Sequence, residues 1–367
     1  MILHILIDDK FSDYVISQFS DTDKFSKLVI MSSGAPLQHI HQMDAAEVII
    51  YNSPEYKALL ASLSDYSAVL FHGLFWSRCA EFMDAIPENV KIAWMFWGGE
   101  IYSRKDVFYK LLGPITRCVN WIHDTIKKRR RFDGELPIEY LKRIDYCLTD
   151  ITEEYIYAKN YLQSERLKNI WYTYYSLEDT IGSSLINARC SGNGVWFCNS
   201  AAIENSMYDA LWRMRLPKFK KQLKDIQIVM PLSYGEMWVK GQMLKIGPRL
   251  FGDRFRPLVD YLPREEYNKL MLSCSTLILP YYSPAGQGNI ITGLWLGMRV
   301  YLSKYSMSYT LFKRYGAIVF TFEDDFPKYG TQMLTDDEVA QNRAVLKKWY
   351  SKEHILSAVD DVVRELK

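Results

Sequence analysis

TLILPYYSPAGQGNIITGLWLGMRVYLS, residues 276–303, joins an apolar run to a loop of small residues, a helical stretch near 288–297 and a second apolar run, RVYLS. Strands that are apolar almost throughout and stop at small or polar residues belong to a parallel sheet covered on both faces. The loop PAGQGN admits two readings. Gly286 and Gly288 permit positive φ and close backbone approach, and the free N–H groups of Gln287 to Ile290 at a helix start can hold a phosphate. The other reading is a solvent-facing turn whose glycines solve only a backbone problem. The GK[ST] ending of a P-loop is missing.

The same alternation extends in both directions. Upstream, strand candidates are MILHILI (1–7), KLVIMS (27–32), AEVIIY (46–51), SAVLFHG (67–73), VKIAWMFWG (90–98) and RIDYCLTD (143–150). Helical spacing lies between several of them: 54–64 opens on proline, 103–122 follows the fifth strand, and 150–162 starts at Asp150 or Thr152 as cap. The stretch GSSLINARCSGNG (182–194) is rich in Gly, Ser and Asn and reads as a boundary. Strands then resume at 194–200, 225–235, 254–262, 275–282, 299–303 and 316–320, with helices near 203–216, 236–245 and from Arg264. The expected architecture is α/β: two Rossmann-like domains facing across a cleft, at 1–182 and 183–335, closed by C-terminal helices at 336–367 that pack back on the N-terminal domain. A chain of 367 residues suits two domains better than one core.

Composition excludes several classes. A net charge of +2 gives no general basic face for nucleic acid. The six cysteines show no CxxC spacing, which argues against a zinc site or disulfide scaffold. MILHILIDD has no basic n-region, so it does not read as a signal peptide, and no apolar run approaches membrane-spanning length. Neither HExxH nor GxSxG occurs. The expectation is a chain with no bound metal and no cofactor.

Four strand ends of the second half share one form, an apolar run halting in small or hydrogen-bonding residues: FCNSAAIENS (197–206), VMPLSYGE (229–236), VDYLPREEY (259–267) and PYYSPAGQGNI (280–290). All open on one edge of a parallel sheet, where ligands of such sheets gather. Asn199 and Ser200 can donate to a diphosphate or cap a helix. Tyr234 and Gly235 can wall a base or sugar, or form a plain turn. In the first half, His72 stands before Gly73 and suits a general base, or a hydrogen-bonded place at a sheet edge. Glu100, after Gly98 and Gly99, can act as base or orient an acceptor hydroxyl. Asp8 and Asp9 close the first strand, at the same edge or as caps. The basic run Lys127, Lys128, Arg129, Arg130 and Arg131, with Trp121 nearby, is either a solvated loop or a contact for anionic lipid heads.

Taken together FHG (71–73), WGGEIY (97–102), FYKLLGPITR (108–117), CLTD (147–150), FCNSAAIENS, VMPLSYG, YLPREEYNKLMLSCSTLIL (261–279) and GQGNIITGLWLGMRVYLS (286–303) resemble the TDP-N-acetylfucosamine:lipid II N-acetylfucosaminyltransferase family of enterobacterial common antigen synthesis. The resemblance implies a glycosyltransferase of the two-Rossmann B type (GT-B), metal-independent, peripheral to the cytoplasmic face of a bacterial inner membrane. It implies a dTDP- or UDP-linked deoxyamino sugar as donor, held by Asn199, Ser200, Tyr234, Gln287, Gly288 and Asn289. It also implies a polyprenyl-diphosphate-linked acceptor, with His72, Gly99 and Glu100 at the transfer point and Asp8 and Gly73 on the acceptor side. The chain departs from the pattern in its long basic segment, in SPAG before Gln287, and in lacking the glutamate pair of many retaining B-type transferases: 282–295 contains no acidic residue. A nucleotide-sugar epimerase or hydrolase, and a non-enzymatic sugar-nucleotide sensor, are the competing readings.

Overall fold

The computed structural model describes residues 1–20, 24–42, 44–74, 78–129 and 135–367. Two compact units result. The first comprises Met1–Arg104, Gly134–Ser176 and Lys352–Lys367; the second comprises Lys105–Asp133 and Leu177–Ser351. Neither is one continuous stretch, and no linear boundary such as 182/183 separates them.

The first unit holds a seven-stranded sheet: β1 Ile2–Leu6, β2 Ser26–Ser32, β3 Glu47–Ile50, β4 Ala68–Phe71, β5 Lys91–Met95, β6 Tyr146–Leu148 and β7 Lys168–Ile170. Their order is β3-β2-β1-β4-β5-β6-β7, and every pairing is parallel. β1 and β4 are buried along their whole length, which is why the sequence there shows apolar runs rather than alternation. Strand β7 has only three residues, KNI, a pattern too short and polar to announce itself. Over this sheet the helix Ser12–Phe19 places Val15, Ile16 and Phe19 in the core. Val359, Val362 and Leu366 of the helix Lys352–Leu366 enter the same cluster.

The second unit holds six parallel strands: β8 Gly194–Phe197, β9 Ile228–Pro231, β10 Phe255–Leu258, β11 Cys274–Leu279, β12 Arg299–Leu302 and β13 Phe320–Thr321, in the order β10-β9-β8-β11-β12-β13. This is the doubly wound arrangement whose order reverses at the centre, here between β8 and β11. The helix Gln287–Trp295 lies close on β11. A Cβ at Gly293 would stand 2.8 Å from Leu277 Cδ2, so any larger residue there would have to push the leucine side chain aside. The expected C-terminal helical segment divides at Ser351, which is extended (φ −62°, ψ 152°). The helix Asp336–Tyr350, started by a Thr335/Glu338 capping box, joins the second unit, and Lys352–Leu366 joins the first.

Two local expectations are corrected. The helix Thr152–Leu162 is capped by neither Asp150 nor Thr152: its N-cap is Ile151, and Thr149 Oγ1 accepts from the Ile151 N–H. The helix foreseen at 203–216 is broken at Ser206 (φ +50°), with a 3-10 turn Ile203–Asn205 before it and Met207–Met214 after it. No described helix is long and apolar enough to cross a membrane.

Candidate functional site

In each sheet the strand order reverses where chemistry-bearing residues gather. In the second unit the place is the carboxyl edge of β8 and β11. The chain leaves β8 through Cys198 in the left-handed region (φ +63°), a conformation uncommon for a non-glycine residue, and this turns the next residue, Asn199, out of the strand. Asn199 is then fixed from two sides. Its Oδ1 accepts from the Tyr281 hydroxyl at 2.6 Å and from Asn205 Nδ2 at 3.3 Å. With the oxygen so occupied, Nδ2 is the outward donor. It reaches the Tyr234 hydroxyl at only 3.4 Å and stands 3.5 Å from where a Gly286 Cβ would be. Ser200 is held behind it, its Oγ and carbonyl both accepting from Asn205 Nδ2 (2.9 and 2.8 Å).

Opposite Asn199 the helix Gln287–Trp295 begins. Its N-cap, Gly286, has φ +72° and offers no side chain, so the first-turn amides have no side-chain cap. The Gln287 carboxamide is buried, and neither its oxygen nor its nitrogen has a hydrogen-bond partner. An unpaired buried amide costs roughly 1–3 kcal/mol, and both polar atoms of this one are free to bond a further group. At Gly288 a Cβ would meet nothing nearer than Thr180 Cγ2 at 4.0 Å, which leaves open space beside that amide. Asn289 is partly committed, since its Nδ2 donates to the Tyr267 hydroxyl at 2.8 Å. Tyr234 is an exposed ring at the next strand end, brought there by the bridge between Ala201 and Gly235. Gly235 (φ +108°) is obligatory, because a Cβ would lie 2.5 Å from the Ala201 carbonyl carbon. The structure thus brings Asn199, Ser200, Tyr234, Gln287, Gly288 and Asn289 to one edge. Tyr281, Asn205 and Tyr267, which orient them, have no sequence signal beyond lying near strand ends.

In the first unit the reversal lies between β1 and β4. His72 is 1% exposed. Its Nε2 pairs with His4 Nδ1 at 3.1 Å and its Nδ1 with the Tyr174 hydroxyl at 3.3 Å, while His4 Nε2 pairs with Ser26 Oγ at 3.2 Å. The Trp97 indole also donates to the Tyr174 oxygen, at 2.9 Å. Burial pulls both imidazoles down, His4 to about 3 and His72 well below its ordinary value, the latter helped by its proximity to His4. Both rings are neutral members of a closed chain across β2, β1 and β4.

Glu100 follows β5 in a short turn, Gly99–Tyr102, whose N-cap is Gly98 (φ +86°). Its Oε1 accepts from the Trp94 indole at 3.1 Å, while Oε2 makes no hydrogen bond. Burial raises its carboxyl to about 7, against the lowering effect of the Trp94 bond and nearby backbone amides. Gly73 (φ +107°) packs against Ile7 and Trp97. Asp8 orders a loop, accepting from the amides of Gln38 (2.7 Å) and His39 (2.9 Å), and Asp9 accepts from the Phe11 amide at 3.0 Å. A second buried carboxyl, Glu154, accepts from Thr149 Oγ1 at 2.8 Å, and burial raises it well above the ordinary range.

Lys127, Lys128 and Arg129 are exposed at the end of the helix Pro114–Lys127, with Arg129 3.8 Å from Glu236. Arg130 and Arg131, and the end of the FHGLFW stretch (75–76), lie outside the described residues. A cavity of about 880 Å³ lined by Arg215, Lys220, Lys224 and Arg249 precedes β9 and β10, at the sheet edge opposite these strand ends. Among the described residues no group of three or more His, Cys, Asp or Glu side chains is placed to hold a metal ion.

Neither a protein-family model nor a curated protein sequence matches the chain. Solved structures do match over its full length. A glycosyltransferase from Rickettsia africae superposes with a TM-score of 0.65 at 10% identity, covering 100% of this chain and 98% of the other. Sucrose-phosphate synthase from Thermosynechococcus elongatus gives 0.61 at 11% identity, covering 100% and 98%. Anabaena HepE, in complex with UDP and glucose, gives 0.59 at 11% identity, covering 99% of each chain. At such identities the likeness is one of fold: two Rossmann-like α/β units with C-terminal helices, the GT-B architecture.

Proposed function

We propose that the chain is a glycosyltransferase that moves a sugar from a nucleoside-diphosphate donor, bound on the second unit, to a hydroxyl of a polyprenyl-diphosphate-linked saccharide handled by the first. The observation that carries the donor site is the buried, unpartnered Gln287 carboxamide beside an uncapped helix start. A diphosphate placed there accepts from the amides of Gln287, Gly288 and Asn289, from the Gln287 side chain, and from Asn199 Nδ2. Tyr234 offers a ring to the base or sugar. Those donors are in place before reaction, so they favour the charge that grows on the leaving β-phosphate.

In the transfer step the bond from sugar C1 to the phosphate oxygen breaks and its electron pair stays on the diphosphate. The acceptor hydroxyl oxygen bonds to C1 and its proton passes to a base. Glu100 suits that task better than His72, because Oε2 has no partner and its carboxyl ionises near neutrality. Both ring nitrogens of His72 are engaged. The deoxyamino sugar, with N-acetylfucosamine on dTDP as the specific candidate, and the bacterial inner-membrane setting rest on the order of sequence pieces from FHG to GQGN.

The test is a thermal-shift and calorimetric screen of dTDP-, UDP- and GDP-sugars, followed by product analysis with a polyprenyl-diphosphate saccharide. Selective dTDP-sugar binding, and transfer that withstands EDTA, are expected. Donor consumption without any acceptor would indicate a hydrolase or epimerase, and binding without turnover a sensor. Transfer abolished by chelation in a folded protein would remove the metal-independent scheme.

A further inference from the structure

The helix Pro114–Lys127 is built inside out. Its protein-facing positions, four residues apart, are Thr116, Asn120 and Asp124, all buried. Its outward face carries Trp121, Ile122 and Ile126, which are 60%, 45% and 72% exposed. An ordinary surface helix does the reverse. Polar and aromatic contacts fasten it to the second unit. Asp209 accepts from the amides of Ile115 and Thr116 at the helix start, both at 2.9 Å, and Ser206 Oγ accepts from Gly113 N at 3.1 Å. Asn120 Nδ2 donates to Asp124 at 3.0 Å, and the His123 ring stacks on Trp238 at 3.9 Å. The helix is thus anchored chiefly by polar and aromatic contacts: Ile115 and Val119 are half-buried, while Trp121, Ile122 and Ile126 stay in water.

What covers them is indicated by the charges beside them. The described helix and its cap expose Arg117, Lys127, Lys128 and Arg129, while its one acidic residue, Asp124, is buried. The sequence continues the basic run with Arg130 and Arg131. Three apolar side chains on one helix fall short of the roughly 800 Å² per partner that a stable protein interface buries. A bilayer needs no matching shape: tryptophan and isoleucine enter the acyl boundary while Lys and Arg meet anionic headgroups.

We propose that the helix Pro114–Lys127 lies in the surface of an anionic bilayer, with Trp121, Ile122 and Ile126 in the acyl boundary and Lys127 to Arg129 on the headgroups. The donor-site reading can fail without this one, and the converse also holds, since no donor is needed to observe it.

Cys118 provides the probe. It is exposed in this stripe, whereas the other five cysteines are buried. The full chain, labelled at Cys118 with an environment-sensitive fluorophore, is titrated with vesicles of phosphatidylglycerol and phosphatidylethanolamine, and separately with phosphatidylcholine. A blue shift with the anionic vesicles only is expected. Sedimentation of unlabelled protein with the anionic vesicles should weaken at least about 10-fold in Ile126→Asp, because an isoleucine that gains by leaving water is replaced by a carboxylate that does not. Lys127→Gln/Lys128→Gln should reduce the ionic-strength dependence of binding. Melting temperatures should match wild type, because these side chains are exposed. Ile126→Asp binding like wild type, an unshifted Cys118 probe, or a wild-type dimer that Ile126→Asp dissociates while neither binds vesicles would each overturn the proposal.

Discussion

The Tyr281 hydroxyl donates to Asn199 Oδ1 at 2.6 Å, linking the ends of β11 and β8 where the second sheet reverses its order. That bond decides which end of the Asn199 amide faces outward. In Tyr281→Phe the oxygen keeps only the longer contacts from Asn205 (3.3 Å) and the Ser200 hydroxyl (3.4 Å), and Nδ2 loses its fixed aim. Nucleoside-diphosphate affinity is expected to fall about 10-fold, with roughly 1 kcal/mol lost from unfolding free energy. Calorimetry beside urea denaturation separates the two effects, and unchanged affinity would remove Tyr281 from the site.

Gly288 and Gly235 make opposite demands. A Cβ fits at Gly288 without protein contact nearer than 4.0 Å, so Gly288→Val should fold, and should lose donor affinity by about 10- to 100-fold if the space belongs to a diphosphate. At Gly235 a Cβ would strike the Ala201 backbone at φ +108°, so Gly235→Ala should lower stability, by roughly 2 kcal/mol or more, before binding is considered. Thermal melts and donor titrations of both variants check the contrast.

Glu100 has an ordinary carboxyl value of 4.5, lifted by burial to about 7. Between those values the folded chain holds a proton that the unfolded chain has released. Stability therefore falls as pH rises through that window and levels off above about 7. Glu100→Gln removes the fall, so its stability relative to wild type should increase toward pH 8, by at most about 3 kcal/mol. As base, Glu100 acts when ionised, so kcat/KM should rise through pH 7. The variant should lose at least about 100-fold in turnover with donor affinity kept. A variant with wild-type turnover excludes Glu100 from the chemistry.

His4 and His72 run the other way. Their ordinary value is 6.5, and burial holds His4 at about 3 and His72 well below the ordinary range. Above 6.5 neither affects stability. As pH falls below it the unfolded chain takes up protons that the folded chain refuses, at about 1.4 kcal/mol per pH unit for each ring. Acid unfolding should steepen below pH 6.5, and the two imidazole resonances should not titrate in the folded protein at pH 5 to 7. A resonance titrating near 6.5 from either ring contradicts the buried chain.

Residues whose burial follows from their own neighbours were legible in sequence. β8 and β11 are buried along their whole length, as their largely apolar runs announce, and the small residues after them mark the edge where backbone must turn. Gly286 was legible too, since glycine before a helical pattern has few other uses, whereas Gly288 lies inside the helix and does not take the positive φ its residue type allows. What stayed hidden depends on partners distant in the chain. His4 sits 68 positions from His72, and nothing in MILHILI announces a polar contact inside an apolar strand. Tyr281 is one of 26 tyrosines until its reach to Asn199 is seen. The 103–122 segment looked helical, but its inverted burial was invisible because periodicity gives two faces without saying which one points inward.

The order of synthesis also follows from the way the units are assembled from the chain. Residues 1–104 emerge first, yet their core waits for Val359, Val362 and Leu366, which appear only after all of 177–351. Until the helix Lys352–Leu366 arrives the first unit lacks one wall. During that interval Val15, Ile16 and Phe19 are without the covering they have in the finished protein, and there a nascent chain would most need a chaperone.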